Sequence, residues 1–323
     1  MARHTEKKRM KRTSLELSRL SLGTAPLAGL FSAVKDQDSD DLIRTALDQG
    51  INYFDTAPLY GHGSSEMRLG RILKSVSQPF VLETKVGRVL KSVEKAEPVP
   101  WFPEADPHVE PVFDYSREGI LQSFNDSLAR MGVDHIDIAL MHDAENHVSE
   151  AINNAYPVLA DLKAQGIIKA IGIGINFCDV AIKFMKEVDL DLVLIAGRYT
   201  LLDQSAQREF LPYALERKVD VTVGGVYNSG VLANPVPGAT YEYLPASDEI
   251  IRKAQEIGAF LSERGVPLTA AALQFPLRHT AVTSVLTGSR SSSELLANIA
   301  DFDRELPSNI WSELEDAGLI ERL

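Results

Sequence analysis

One cysteine, Cys178, stands in 323 residues, so the chain can form no internal disulfide and no cysteine cage for zinc. Such usage suits a reducing compartment, and a cytoplasmic location is the expectation. Basic residues are in deficit, with 33 Lys and Arg against 45 Asp and Glu and a net charge of −12. A surface of that sign repels phosphate backbones, which argues against nucleic acid as a partner. No apolar run approaches the roughly 18 residues of a membrane span, so no membrane association is expected. Low-complexity tracts and a Pro/Gly-rich linker between two halves are also missing. The histidines at 62, 108, 135, 147 and 279 lack metal-ligand spacing, so no metal is expected.

Against the acidic trend, Arg3, Lys7, Lys8, Arg9, Lys11 and Arg12 crowd the first dozen residues. No apolar stretch follows them, so they are not read as a secretory signal. Residues 1–16 are expected to form a solvated basic tail, and residues 17–323 a single domain.

Composition is otherwise that of a soluble globular protein, 45% hydrophobic and 24% charged. Short apolar runs alternate with amphipathic stretches. The runs are Leu17–Gly23, Ile51–Thr56, Phe80–Val86, Ile136–His142, Ile168–Ile175, Leu192–Tyr199, Val219–Tyr227 and Val282–Gly288. Continuous apolar content fits parallel strands covered on both faces. Helical periodicity fills the intervals, at Ser39–Leu47, Ser65–Leu73, Glu118–Met131, Ser149–Ala164, Asp179–Lys186, Ser205–Arg217, Asp248–Arg264 and Ser293–Ile299. Eight strand–helix alternations predict an α/β fold, a (β/α)8 TIM barrel. An open doubly wound sheet is the alternative, but the first strand lacks its G-x-G-x-x-G turn. The intervals Gly87–Arg117 and Asn228–Ser247 are long and proline-bearing. They are expected to be substrate loops at the C-terminal rim.

Polar residues gather where the strands end: Thr24, Asp55, Lys85, His142, Asn176, Tyr199, Asn228 and Ser289. Asp55 and Lys85 end adjacent strands and would pair if poorly solvated. Tyr60 follows in the loop that returns over the barrel mouth. A cation beside it favours phenolate and would lower its pKa, making Tyr60 a proton donor or acceptor. His142 could hydrogen-bond the same reacting oxygen. The same four residues also admit a purely structural reading, a salt bridge with a packed Tyr and a satisfied His.

The stretch Asp55-Thr56-Ala57-Pro58-Leu59-Tyr60-Gly61-His62-Gly63-Ser64-Ser65-Glu66-Met67-Arg68-Leu69-Gly70 resembles the D-T-A-x-x-Y-G-x-G-x-S-E-x-x-L-G signature of the aldo-keto reductase superfamily. Lys85 in Glu83-Thr84-Lys85-Val86 and His142 in Leu140-Met141-His142-Asp143 stand where that family has its lysine and histidine. The likeness runs from about Leu17 to Ile299. It implies a nicotinamide dinucleotide bound across the rim of the barrel. It also implies a tetrad in which Tyr60 is the general acid or base, Lys85 tunes it, Asp55 holds Lys85 and His142 orients the substrate oxygen.

Pro111–Ile120 and Ala196–Leu202 are similar to the branch of D-threo-aldose (L-fucose) 1-dehydrogenases, a group that includes pyridoxal 4-dehydrogenases. The resemblance implies oxidation of a cyclic hemiacetal, an aldose or a pyridoxal-like molecule, to a lactone. An NADPH-dependent aldehyde or ketone reductase is the alternative; a redox-sensing channel subunit is a further one. Gly23, Thr24, Asn176, Asn228, Gly288, Ser289 and Asn298 are implied in cofactor binding. Many members carry Ser-Asn where this chain has Ile175-Asn176, and a glutamine where it has Ala196. Arg198 is therefore a candidate carboxamide contact. Tyr227 is either the ring that stacks on the nicotinamide or an outward-facing strand residue. At Thr287–Asn298 the family's basic residue and arginine are replaced by Gly288 and Glu294. An acid there repels a 2′-phosphate, so the cofactor expected is NAD; Arg290 is the feature that would suit NADP. Phe31, Trp101 and Phe102 are candidate substrate-pocket residues.

Overall fold

The computed structural model describes residues 2–323. Its centre is eight parallel strands: β1 (Leu20–Gly23), β2 (Tyr53–Asp55), β3 (Val81–Val86), β4 (Ile138–His142), β5 (Ala170–Ile175), β6 (Leu192–Ala196), β7 (Asp220–Gly224) and β8 (Val282–Gly288). Each pairs with the next, β8 pairs with β1, and the sheet closes into a barrel. The expected (β/α)8 barrel is thus the fold. Every apolar run supplied a barrel strand because alternate residues serve two cores. In β4, Ile138 and Leu140 face the barrel interior, whereas Ala139 and Met141 pack beneath the helices. β6 divides Leu192 and Leu194 from Val193 and Ile195 in the same way.

Helices α1 (Asp36–Asp48), α2 (Ser64–Leu73), α3 (Arg117–Met131), α4 (Tyr156–Ala164), α5 (Cys178–Glu187), α6 (Phe210–Glu216), α7 (Asp248–Ser262), α8 (Leu268–Gln274), α9 (Ser292–Asp303) and α10 (Ile310–Asp316) surround it. Ser116, Ser247 and Ser291 cap α3, α7 and α9 by accepting backbone N–H bonds. The helix expected over Ser149–Ala164 contains a wider turn at Ala151–Ala155. Pro157 follows, and its missing N–H breaks the regular ladder there. Helices α8 and α10 were not anticipated.

The basic tail is a correction. Lys7–Arg9 and Glu16–Ser18 pair as an antiparallel hairpin across the base of the barrel. Met10 and Leu15 are buried and join the interior cluster with Leu17 and Tyr53. The basic side chains dock instead of dissolving. Lys11 donates to Asp220 by its backbone N–H at 2.7 Å and its Nζ at 3.0 Å. Lys8 Nζ donates to the carbonyls of Thr280 and Val282. His4 is buried against Asp303 and the carbonyl of Gln49. A barrel open at its base would leave Met10's neighbours wet, so burying apolar side chains holds the segment down.

The long interval after β3 also differs from a loop. Arg88–Ser92 and Val109–Phe113 form an antiparallel hairpin that stands at the rim. The interval after β7 carries a smaller hairpin, Thr240–Tyr241 with Leu244–Pro245.

Candidate active site at the C-terminal rim

Asp55 ends β2 and Lys85 lies one residue from the end of β3, both almost wholly buried. Lys85 Nζ donates to Asp55 Oδ1 and, at 2.9 Å, to the carbonyl of Thr56. The lysine fits because β5 has Gly174 beside it. A Cβ there would lie 3.3 Å from Lys85 Cε. Burial works against the ammonium, but the Asp55 carboxylate outweighs it and raises the lysine's pKa.

Tyr60 comes from the loop after β2, and its ring centroid is 4.8 Å from Lys85 Nζ. His142 ends β4, and its ring meets Tyr60 edge-on at 5.9 Å. The four side chains expected to act together are therefore together. One expectation is corrected. Burial raises the Tyr60 pKa more than Lys85 lowers it, so the phenol sits above its ordinary value. The cation opposes the shift without reversing it, because Asp55 already takes up much of its field.

His142 is held down to a pKa of about 3, by burial first and by Arg88 and Lys85 after it. It is a neutral imidazole at physiological pH, able to donate one hydrogen bond. Beneath the tetrad, Glu83 is fully buried and accepts from Tyr53 Oη at 2.7 Å. Burial and neighbouring Asp55 push its pKa well up, so it favours the neutral acid.

Thr24 is committed to the tetrad's scaffold. Its N–H and hydroxyl both donate to the carbonyl of Asp55, at 3.0 and 2.8 Å, and Ser65 Oγ bonds it from behind. Gly23 ends β1 against Leu286, where a Cβ would approach to 3.2 Å.

On the other half of the rim, Ser289 is buried, and Asn298 on α9 bridges it to Tyr227 at 3.1 and 2.8 Å. The Tyr227 hydroxyl is thereby tied to α9. Asn228 is buried with its Oδ1 unpartnered, and so is Thr287 Oγ1. Gly288 touches Pro26 so closely that a Cβ would lie 2.5 Å from its ring. The unpartnered Asn228 Oδ1 can accept from an amide N–H and the unpartnered Thr287 hydroxyl can donate to a phosphate oxygen, which fits an amide- and phosphate-bearing dinucleotide. Asn176 lies at the end of β5, and its carbonyl accepts from Arg198 Nε at 2.7 Å. The Nη1 of that guanidinium is engaged by Asp203 and Glu242. Arg198 therefore anchors the loop that carries Glu242. Arg290 and Glu294 form an ion pair, with Arg290 N–H donating to Glu294 Oε2 at 2.8 Å.

Phe102 is buried against Tyr60 at 6.1 Å, whereas Phe31 and Trp101 are exposed above. Tyr243 lies between them, 6.1 Å from Phe31 and 5.8 Å from Trp101. Sequence reading missed it. Its signal was weak, because Glu242 and Tyr243 both take left-handed backbone at the hairpin turn without a glycine to announce it. Arg88 was missed as well. It reaches His142 Nδ1 at 3.2 Å and Asp143 Oδ2 at 2.8 Å.

An acid-anchored lysine, a tyrosine and a neutral histidine at the mouth of a parallel barrel define a barrel oxidoreductase. The chain belongs to the Aldo/keto reductase family, whose model matches residues 19–318. It is 39% identical to a pyridoxal 4-dehydrogenase of Microbacterium luteolum, over 98% of both chains. It is 38% identical to a D-threo-aldose 1-dehydrogenase of a Pseudomonas species, over 95% of both. Among solved structures, an aldo-keto reductase from Bacillus halodurans in holo form superposes with a TM-score of 0.79 at 25% identity, covering 97% of this chain and 96% of that one. Among the described residues, no helix is long and apolar enough to cross a membrane, and no cluster of three or more acidic, His or Cys side chains could hold a metal ion.

Proposed function

We propose that this protein is an NAD-dependent dehydrogenase that oxidises the anomeric hydroxyl of a cyclic hemiacetal, an aldose of the L-fucose or D-threo type, to a lactone. The observation that carries this reading is the buried Asp55–Lys85 pair against Tyr60, with neutral His142 facing the same ring. The likeness to an aldose 1-dehydrogenase over nearly the whole chain supports the substrate class.

A nicotinamide dinucleotide supplies the hydride acceptor. The chain's own residues handle the proton and the geometry. Tyr60 Oη takes the proton from the anomeric hydroxyl as the carbon–oxygen double bond forms. Lys85 favours the phenolate that must exist at that moment, and Asp55 keeps Lys85 charged and fixed. His142 donates to the reacting oxygen and fixes its direction toward Tyr60. Phe31, Trp101, Phe102 and Tyr243 give the mouth apolar faces that suit a sugar ring's C–H side. The dinucleotide is assigned to the far half of the rim, to Gly23, Asn176, Tyr227, Asn228, Gly288, Ser289 and Asn298. Glu294 pairs with Arg290, the basic residue that would suit a 2′-phosphate, and its carboxylate would repel one, which favours NAD over NADP.

The same aromatic mouth favours a second reading, a pyridoxal hemiacetal giving the 4-pyridoxolactone, since a pyridine ring stacks on such faces. The test follows NADH formation with L-fucose, D-arabinose, L-galactose and pyridoxal, each with NAD and NADP. Turnover with a sugar and NAD is expected. Turnover with pyridoxal alone establishes the second reading. No oxidation of any of the four, with aldehyde reduction by NADPH instead, overturns both.

A further inference from the structure

One ring nitrogen of His142, Nδ1, is met by a group that can only donate. Arg88 opens the rim hairpin directly after Gly87, and it is aimed by an unusual bend. Gly87 has a φ of 100°, and a Cβ there would lie 2.4 Å from the Tyr115 ring. Tyr115 in turn donates its hydroxyl to the carbonyl of His142, so one aromatic ring shapes both the arginine's approach and the histidine's backbone. The Arg88 guanidinium is mostly buried and lies 4.1 Å from the Phe113 ring centroid. Ser123 Oγ donates to the Arg88 carbonyl at 2.9 Å. Asp143 fixes its charge at 2.8 Å, and does so from a left-handed backbone position (φ 48°) that an aspartate adopts at some cost.

A guanidinium carries five N–H donors and no acceptor. The nitrogen it faces at 3.2 Å, His142 Nδ1, must therefore offer a lone pair. The single proton of the neutral ring is then on Nε2. That nitrogen has no hydrogen bond among the described residues, its nearest carboxylate oxygen being Asp143 Oδ2 at 3.7 Å.

We infer that Arg88 is a positioning residue that locks His142 in the Nε2–H tautomer, so that the imidazole presents a donor and not a lone pair to the substrate oxygen. This rests on the proposed dehydrogenase reading only for its consequence in turnover. The tautomer itself is independent of it. Acceptors such as a backbone carbonyl commonly orient histidines by taking the Nδ1 proton; here the logic is inverted, and the selected proton is the one that faces the reaction. The arrangement also disfavours the imidazolium, because a second proton would have to sit between Nδ1 and a cation.

The experiment uses the full chain with ¹⁵N-labelled histidine and long-range ¹H–¹⁵N correlation spectra, the His142 signals being identified by their loss in His142→Asn. Wild type is expected to show a pyridine-like Nδ1 and a pyrrole-like Nε2. Arg88→Met should move both toward the averaged values of exchanging tautomers. Arg88→Lys, which keeps a donor and a charge, should restore most of the wild-type pattern. In parallel, kcat should fall about 10–100-fold in Arg88→Met with the Kd for NAD unchanged, since a mis-set tautomer disables an acting histidine without touching cofactor contacts. A wild-type spectrum with Nδ1 protonated overturns the inference, whether or not the variants fold. So does an Arg88→Met spectrum identical to wild type, and in that case normal hemiacetal oxidation would leave the proposed function standing. The expected spectra with no turnover on any hemiacetal or aldehyde would instead sink the function and keep Arg88's role.

Discussion

Met10→Ala isolates the contribution of the basal hairpin. Met10 is 2% exposed and lies with Leu15, Leu17 and Tyr53 in the cluster that fills the barrel interior. Truncating a buried methionine to alanine costs about 2–5 kcal/mol, the larger values where the cavity cannot collapse. The walls here are hydrogen-bonded strands, so collapse is limited and the upper half of the range applies. The unfolding entropy for 323 residues is about 0.7 kcal/mol per kelvin, which converts the loss to a Tm about 5–7 °C lower. Calorimetry at matched scan rate measures it, with Lys7→Ala as the control. Lys7 is exposed on the same hairpin and should leave Tm unchanged. The rim lies at the opposite end of the strands, so turnover at 25 °C should be wild-type in both. Equal melting of Met10→Ala and wild type would refute the plug. Loss of activity at 25 °C without loss of stability would show that the base and the rim are coupled.

Tyr60→Phe removes the proton-transfer group and should lower kcat by about 10²–10⁴-fold with NAD affinity unchanged, as read by stopped-flow absorbance and fluorescence titration. Because the Tyr60 pKa stands above its ordinary value and oxidation needs the phenolate, kcat/KM for oxidation should climb with pH through the alkaline range. His142, titrating near pH 3, should contribute no limb between pH 5 and 9; an inflection near 6.5 that vanishes in His142→Asn would contradict this. Glu83 binds its proton more tightly folded than unfolded, so its stabilising share is complete below the ordinary glutamic acid pKa and shrinks as pH rises above it. Glu83→Gln should flatten the fall in urea midpoint between pH 5 and 9. A steeper fall would reverse the sign. Glu294→Arg should raise NADP affinity several-fold, the pair being exposed and screened; isothermal titration with no change would remove Glu294 from cofactor choice.

The barrel strands were legible because each carries its own pattern. The run Leu17–Gly23 nevertheless proved to be two elements, Glu16–Ser18 in the hairpin and Leu20–Gly23 in the barrel, since apolar content does not say which sheet a residue joins. The tetrad was legible because Asp55 and Tyr60 lie five residues apart in one motif, while Lys85 and His142 end strong runs. Arg88 and Tyr243 were not, since their meaning lies in contacts with His142 and with Phe31 and Trp101, far away in the chain. The docking of Lys8 and Lys11 was equally hidden. Their partners, Val282 and Asp220, are more than 200 residues on.

That separation bears on how the chain assembles. His4 closes on Asp303 across 299 residues, and Lys8 closes on Thr280 across 272. During synthesis the basal hairpin emerges long before the strand and helix that receive it. Its apolar Met10 and Leu15 must wait, uncovered or provisionally paired, until β8 and α9 leave the ribosome. Contacts of such length are among the slowest to form. Closure of the base is therefore expected to be the final event in folding, and the interval before it is when this chain is most exposed to aggregation.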